Sequence, residues 1–257
     1  MSRCLHADVI RLIGGEPLLN PEINSFLAIA KESGIADRLM VTTNGLLLHS
    51  MNADFWKLVD CVLVNLYPGI RLKESIDEFK LRAKMFGARL CVRDQCAFRI
   101  SLVTSPHPND WITDMIFRTC KNAHVFQCHM VHEGKLYKCA VPPFLPEYLL
   151  KLGINGYDPN RDAFNFREAK DLLEALKRFL LSPATMDSCR FCLGYVGKPQ
   201  PHHQLEPKLI AEPALQQVTR SGNLDHYVFI RECAHYYWSQ ALAGWKGRRS
   251  RQSERSL

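Results

Sequence analysis

Apolar and polar positions fall into alternating blocks along the first hundred or so residues, and the blocks have the lengths of strands and helices. The largely apolar run Val9–Ile13 reads as a strand and stops at Gly14-Gly15-Glu16-Pro17. Asn20 offers an N-cap and Pro21 a first helical position. The helix predicted over 21–33 places Ile23, Phe26, Leu27 and Ala30 at helical spacing, with Gly34 as its C′ residue. A strand over Leu39–Thr43 turns at Asn44-Gly45, and a short helix near 54–58 leads into Cys61–Leu66. That run is apolar on both faces up to Asn65, as a buried parallel strand requires. Tyr67-Pro68-Gly69 breaks it. A charged helix over 74–86 follows, with Ile76, Phe79, Ala83 and Phe86 as its apolar stripe, then strands over 90–92 and 98–103 and a helix from about Asn109. Strands alternating with helices predict βαβ units and an α/β fold.

Past residue 120 the pattern changes. Two β-rich segments flank Glu133-Gly134 and read as a hairpin. An amphipathic helix is predicted over 166–181, with Leu172, Leu173, Leu176 and Phe179–Leu181 mostly buried. The segment 225–242 is aromatic-rich (Tyr227, Phe229, Tyr236, Tyr237, Trp238) and helical by pattern.

Composition alters this picture in two places. The net charge of +7 would suit nucleic acid, but much of it sits in Lys246, Arg248, Arg249, Arg251 and Arg255. This tail shows no apolar periodicity and reads as a solvated, disordered end. The body shows neither a nucleic-acid module nor a basic stripe interleaved with aromatics, so no nucleic-acid partner is expected. No apolar run approaches bilayer length and no signal segment opens the chain, so a cytoplasmic protein without membrane contact is expected. In a reducing compartment the ten cysteines are then metal ligands or buried thiols rather than a disulfide framework. Cys91 and Cys96, on or near strands, read as packing residues.

Two motifs carry candidate chemistry. Glycines at a strand's C-terminal end let the backbone approach a ligand closely, so Gly14 and Gly15 can present peptide groups at the mouth of a sheet or barrel. Cys120, Cys128, Cys139 and the pair Cys189-x-x-Cys192 supply five thiols. If the hairpin turns at Glu133-Gly134, Cys128 and Cys139 oppose each other, ~4.5–5.5 Å apart at Cα, near enough to share a metal centre. The CxxC turn aims two more sulfurs at one point. Five candidates for four positions leave one spare, and thiolate-only ligation suits zinc and iron–sulfur clusters alike.

The strand, Gly-Gly-Glu-Pro-Leu-Leu, the capped helix and the second strand ending in Thr43-Asn44-Gly45 resemble the radical S-adenosylmethionine enzymes. The resemblance implies a partial (β/α) barrel, with Gly14, Gly15, Glu16, Pro17, Asn44 and Asn65 contacting S-adenosylmethionine; Asn65 reads equally as a strand-terminus cap. Gly134-x4-Cys139, preceded by Cys120 and followed by Cys189-x-x-Cys192, resembles the Twitch form of the SPASM auxiliary-cluster module. That implies a 4Fe-4S auxiliary cluster with Cys139, Cys189 and Cys192 as ligands and a fourth from Cys120, by family spacing, or Cys128, by hairpin geometry. The family's CxxxCxxC, expected upstream of Gly-Gly-Glu, is not in this sequence, where Cys4 is the one cysteine before Gly14. A barrel lacking its first strand is therefore expected, in an incomplete or degenerate chain inactive as it stands.

The expected division is 1–119 for the partial barrel, 120–204 for a small hairpin, helix and cysteine module, and 205–257 for a C-terminal helix and basic tail. The expected function is hydrogen-abstraction chemistry of the radical S-adenosylmethionine oxidoreductase type. Its substrate would be an unidentified peptide or small molecule, with an electron-donor protein as partner. The alternative is a non-catalytic zinc- or Fe–S-binding scaffold.

Overall fold

Strands β1 (Ile10–Leu12), β2 (Leu39–Thr43), β3 (Cys61–Leu66) and β4 (Arg89–Asp94) form a parallel sheet in the order β1-β2-β3-β4. The three crossovers carry α1 (Ile23–Glu32), α2 (Ala53–Leu58) and α3 (Ile76–Met85). The register sets Leu12, Val41, Val62 and Leu90 side by side across the sheet. This row packs with Leu27, Phe55, Trp56 and Phe79 from the three helices, so all three lie on one face. Leu27, Phe55 and Phe79 are fully buried, each worth ~1.5–3 kcal/mol relative to exposure. The chain is thus α/β, with sequential strand order and one-sided helices. Among the described residues the sheet has four strands and does not close into a barrel.

Local signals set the helix bounds. The Asn52 side chain accepts from Phe55 N, and Ser75 and Glu78 form a reciprocal capping box at α3. Asn20 accepts from Glu22 N instead of opening a helix at Pro21, and α1 begins at Ile23.

The computed structural model describes residues 4–106, 109–202 and 220–253, in two units. The first is the sheet and its helices up to Phe98, together with Pro201 and His202; the second runs from Arg99 to Gln200 and includes the C-terminal helices. The short strands β5 (Ala97–Arg99) and β9 (Pro199–Pro201) span the unit boundaries at Phe98/Arg99 and Gln200/Pro201.

The second unit contains α4 (Asp110–Arg118), α5 (Lys121–His124), a three-stranded antiparallel sheet of β6 (Met130–His132), β7 (Lys135–Tyr137) and β8 (Ala163–Asn165), α6 (Val141–Lys151), α7 (Leu172–Leu181), α8 (Arg220–Asn223) and α9 (His226–Ser253). Its division from the first unit falls at Phe98/Arg99 rather than at 119/120. The reason is packing: Met115 and Ile116 of α4 share a core with Leu193, Val196, Val228, Phe229 and Cys233. For the same reason α9 is no separate C-terminal region.

Three further expectations are corrected. Within the span 98–103 a regular strand covers only up to Arg99; beyond it Leu102 makes a single bridge to Cys192. The helix expected over 166–181 starts at Leu172, capped by Asp171, and buries only Leu176, while Leu173 and Leu181 are exposed. The basic tail, expected to be disordered, continues α9 as helix to Ser253, as its Ala, Gln, Lys and Arg content permits; Arg255 lies outside the described residues. No helix among the described residues is long and apolar enough to cross a membrane.

Candidate metal centre

Three separate stretches of the second unit bring cysteines to one place. The first is α4, whose N-cap Asn109 accepts from Trp111 N and Ile112 N. Its buried side, Met115, Ile116 and Phe117, fixes where the helix ends, and Cys120 follows directly. The second is the β6–β7 hairpin. Glu133 and Gly134 both have positive φ (48° and 74°), the geometry of a tight two-residue turn. β7, paired on its other edge with β8, then delivers Lys138 and Cys139.

The third is the CxxC. Cys189 lies in a 3-10 turn, Asp187–Phe191, with its N–H on Met186 O. Residues 191–193 pair with 101–103 through Val103 N to Phe191 O (2.9 Å) and Leu193 N to Ser101 O (2.8 Å). The segment leading into α4 therefore also clamps the segment carrying Cys192.

Cys120, Cys139, Cys189 and Cys192 line one cavity, with Ile116, Phe117, Ala123, Val141, Met186, Ser188 and Gly194 as its remaining walls. Its free space is about 20 Å³, room for a single water-sized body. Among the described residues no three His, Cys, Asp or Glu side chains are gathered closely enough to hold one metal ion. The four sulfurs thus surround a common space without closing on a point.

Backbone N–H groups address these sulfurs. Gly194 N donates to Cys192 Sγ at 3.1 Å, while the nearby N–H groups of Val141, and of Ala123 and Asn122, favour the thiolate form of Cys139 and Cys120. Such bonds stabilise thiolate and are what a metal-bound or cluster-bound sulfur accepts. Gly194, at φ 55°, would place a Cβ 3.4 Å from Cys120 Sγ, so the turn after the CxxC sits against the sulfur from α4.

The thiols act on one another. Burial pushes Cys139 from 9.0 to about 12, with Cys192, Cys120 and Asp162 adding to the rise against the pull of Val141 N–H. Burial, then Cys192, Cys139 and Cys120, raise Cys189. Burial also raises Cys120, against the pull of Ala123 and Asn122 N–H, with a last and smallest push from Cys128. A metal-free chain is therefore expected to lose stability as pH rises from about 9 to about 12. In that window the unfolded chain has released thiol protons that the folded chain still holds. Metal uptake, which removes those protons in advance, is expected to abolish the slope. Thermal melts across this range, with and without metal, read both effects.

Cys128 does not join the four. It is exposed, its sulfur lies 4.0 Å from Phe126 O, and it lines no part of the cavity. The register that pairs Met130 with Tyr137 would extend to Cys128 and Cys139, but Gln127 adopts φ 47° and Cys128 N bonds Asn122 O, which ends the strand. Cys233 packs in the α9 core.

Sequence reasoning missed two buried charges beside the cavity. Asp162, 5% exposed, accepts from Tyr157 Oη (2.9 Å), Asp187 N (2.7 Å) and Ser188 N (2.8 Å). Lys138, also 5% exposed, donates to Ser182 O and lies over the Phe117 and Phe179 rings. Burial lowers its pKa, and Cys189 opposes that.

In the first unit, the Gly14-Gly15-Glu16-Pro17 corner stands at the C-terminal end of β1. Gly14 and Gly15 are exposed and have no atom within 4 Å of where a Cβ would stand. Glu16 is already employed: Oε1 accepts from Leu18 N and Thr43 Oγ1, and Oε2 from Asn44 N at 2.8 Å. It ties the end of β1 to the end of β2 and caps the 3-10 turn that Pro17 begins. The Asn44 side chain accepts from Leu46 N. Asn65 is two strands from β1, about 10 Å by strand spacing. Its Oδ1, like Thr42 Oγ1, is buried without a hydrogen-bond partner.

Compared with known proteins, the sequence matches no family model and no curated protein.

Proposed function

We propose that the second unit binds one iron–sulfur cluster through Cys120, Cys139, Cys189 and Cys192, as the auxiliary centre of a radical S-adenosylmethionine-type protein. The carrying observation is the convergence of four cysteines from three stretches on one apolar cavity, with a backbone N–H bonded to one of the sulfurs. A single tetrahedral zinc needs sulfurs ~3.8 Å apart, from Zn–S bonds of ~2.3 Å. The described side chains show no such closure. When bound, the cluster supplies one-electron chemistry or a substrate contact. The chain's own residues hold the sulfurs, donate N–H bonds to them and exclude water with Phe117, Met186 and Val141.

The corner at Gly14–Glu16 is proposed to receive S-adenosylmethionine. Open peptide groups at Gly14 and Gly15, and the unpartnered Asn65 Oδ1, suit a polar ligand at the C-terminal edge of a parallel sheet. The partial-barrel arrangement lacking its first strand, and hydrogen abstraction from a peptide or small-molecule substrate, belong to this proposal as well. The sequence holds no CxxxCxxC, so the proposed role of these residues covers the auxiliary cluster and the S-adenosylmethionine corner alone.

A second reading has its own support. The cavity's small free space suits one ion better than a cluster unless the walls move apart. That reading is a zinc scaffold without redox chemistry.

Anaerobic reconstitution with iron and sulfide, followed by visible absorption and calorimetry with S-adenosylmethionine, separates the two. The proposal expects a brown protein that binds S-adenosylmethionine, and binding weakened about tenfold or more in Glu16→Ala, a loss of ~1.4 kcal/mol. A colourless protein that retains zinc and ignores S-adenosylmethionine contradicts it.

A further inference from the structure

We propose that Asp162 and Lys138 are positioning residues that shift the electron affinity of the cluster in opposite directions; this rests on the cluster reading above. Both are buried in the second unit and, among the described residues, neither forms an ion pair with a side chain of opposite charge. A buried charge without a counter-charge is costly and persists where something nearby compensates it.

Asp162 is compensated by donors. It grips the N–H groups of Asp187 and Ser188, the two residues that precede Cys189, and takes the Tyr157 hydroxyl. This fixes the start of the CxxC turn and places a negative charge that both Cys139 and Cys189 feel. Among the described residues Lys138 meets a carbonyl and two aromatic faces. It adjoins Cys139 in the chain and interacts with Cys189, so the compensation that fits it is the negative charge of the thiolates and whatever they hold.

A four-thiolate cluster carries net negative charge, and adding one electron makes it more negative. A fixed carboxylate beside it opposes that electron and lowers the reduction potential; a fixed ammonium favours the electron and raises it. Simple loosening of the fold is expected to shift the potential the same way in both variants.

The test is a reductive titration of the reconstituted full chain with a low-potential chemical reductant, which gives up the one electron the cluster gains. The variants are Asp162→Asn, Lys138→Met and Lys138→Arg. At equal iron and sulfide content, Asp162→Asn is expected to move the potential positive and Lys138→Met to move it negative. Lys138→Arg, which keeps the charge, is expected to stay near wild type. If Asp162→Asn fails to fold, the Lys138 pair still decides. Potentials that do not move, that move together for both charge-removing variants, or that fall equally in Lys138→Met and Lys138→Arg overturn this inference and leave the cluster intact. A wild-type chain that takes up no cluster overturns the cluster reading and this inference with it.

Discussion

Cys189→Ser is expected to abolish iron and sulfide uptake. This sulfur is the most buried of the four and the one on which the other three all act. A structural metal contributes ~10–16 kcal/mol in small thiolate sites, so losing one ligand of four costs several kcal/mol and cuts retained metal more than about tenfold. Serine at Cys120, Cys139 or Cys192 is expected to do the same. The informative controls are Cys128→Ser and Cys233→Ser. Cys128 sits outside the cavity and Cys233 belongs to the α9 core, so both variants should keep full iron and sulfide. Retention in Cys189→Ser, or equal loss in the Cys128 control, would remove the four-cysteine assignment.

Gly197→Ala is expected to be the most destabilising glycine substitution in the second unit. A Cβ at this position would stand 1.7 Å from Ile100 O and 2.9 Å from Ile100 C, a collision with backbone that no rotamer can relieve. The two segments are held together on both sides of that contact, by Ile100 N to Lys198 O (3.0 Å) and by Arg99 Nη1 to Gly197 O (2.8 Å). Making room for a methyl group therefore separates the pairing that also positions Phe191–Leu193, and with it Cys192. Overpacking costs ~1–3 kcal/mol; a backbone collision falls at the upper end of that range, and about 3 kcal/mol lowers Tm by roughly 10 °C for a chain of this size. Gly14→Ala, with open space around it and no positive φ, should change Tm by less than about 2 °C. A thermal melt in which the two variants behave alike would show that the close approach at Gly197 is not what holds this pairing.

Where the local chain decided the outcome, the sequence was readable. β2 and β3 run over Leu39–Thr43 and Cys61–Leu66, the residues their apolar pattern marks. The hairpin turns at Glu133-Gly134, where both residues take the positive φ that such a turn demands. Where tertiary packing decided, it was not. Helix α6 hides behind Pro142, Pro143 and Pro146, of which the first two stand in its opening turn, where a missing N–H costs little. β8 is three residues long and exists because β7 has a free edge.

The site itself divides the same way. The CxxC and Cys139 could be picked out from spacing, but the choice between Cys120 and Cys128 could not. It turns on a single non-glycine residue, Gln127, in a left-handed conformation. Lys138 and Asp162 carry no distinguishing signal in the sequence; the packing of Phe117 and Phe179 and the bonds from Asp187 and Ser188 reveal them. Glu16 is the reverse case: its place in the turn was legible, whereas its three bonds to Leu18, Thr43 and Asn44 required the sheet.

Elemental analysis of the full chain, reconstituted anaerobically and freed of loosely bound metal, tests the central claim most directly. About four iron and four sulfide per chain, lost together in Cys189→Ser, is the expected result. One zinc per chain with no sulfide, or no metal at all, would contradict it.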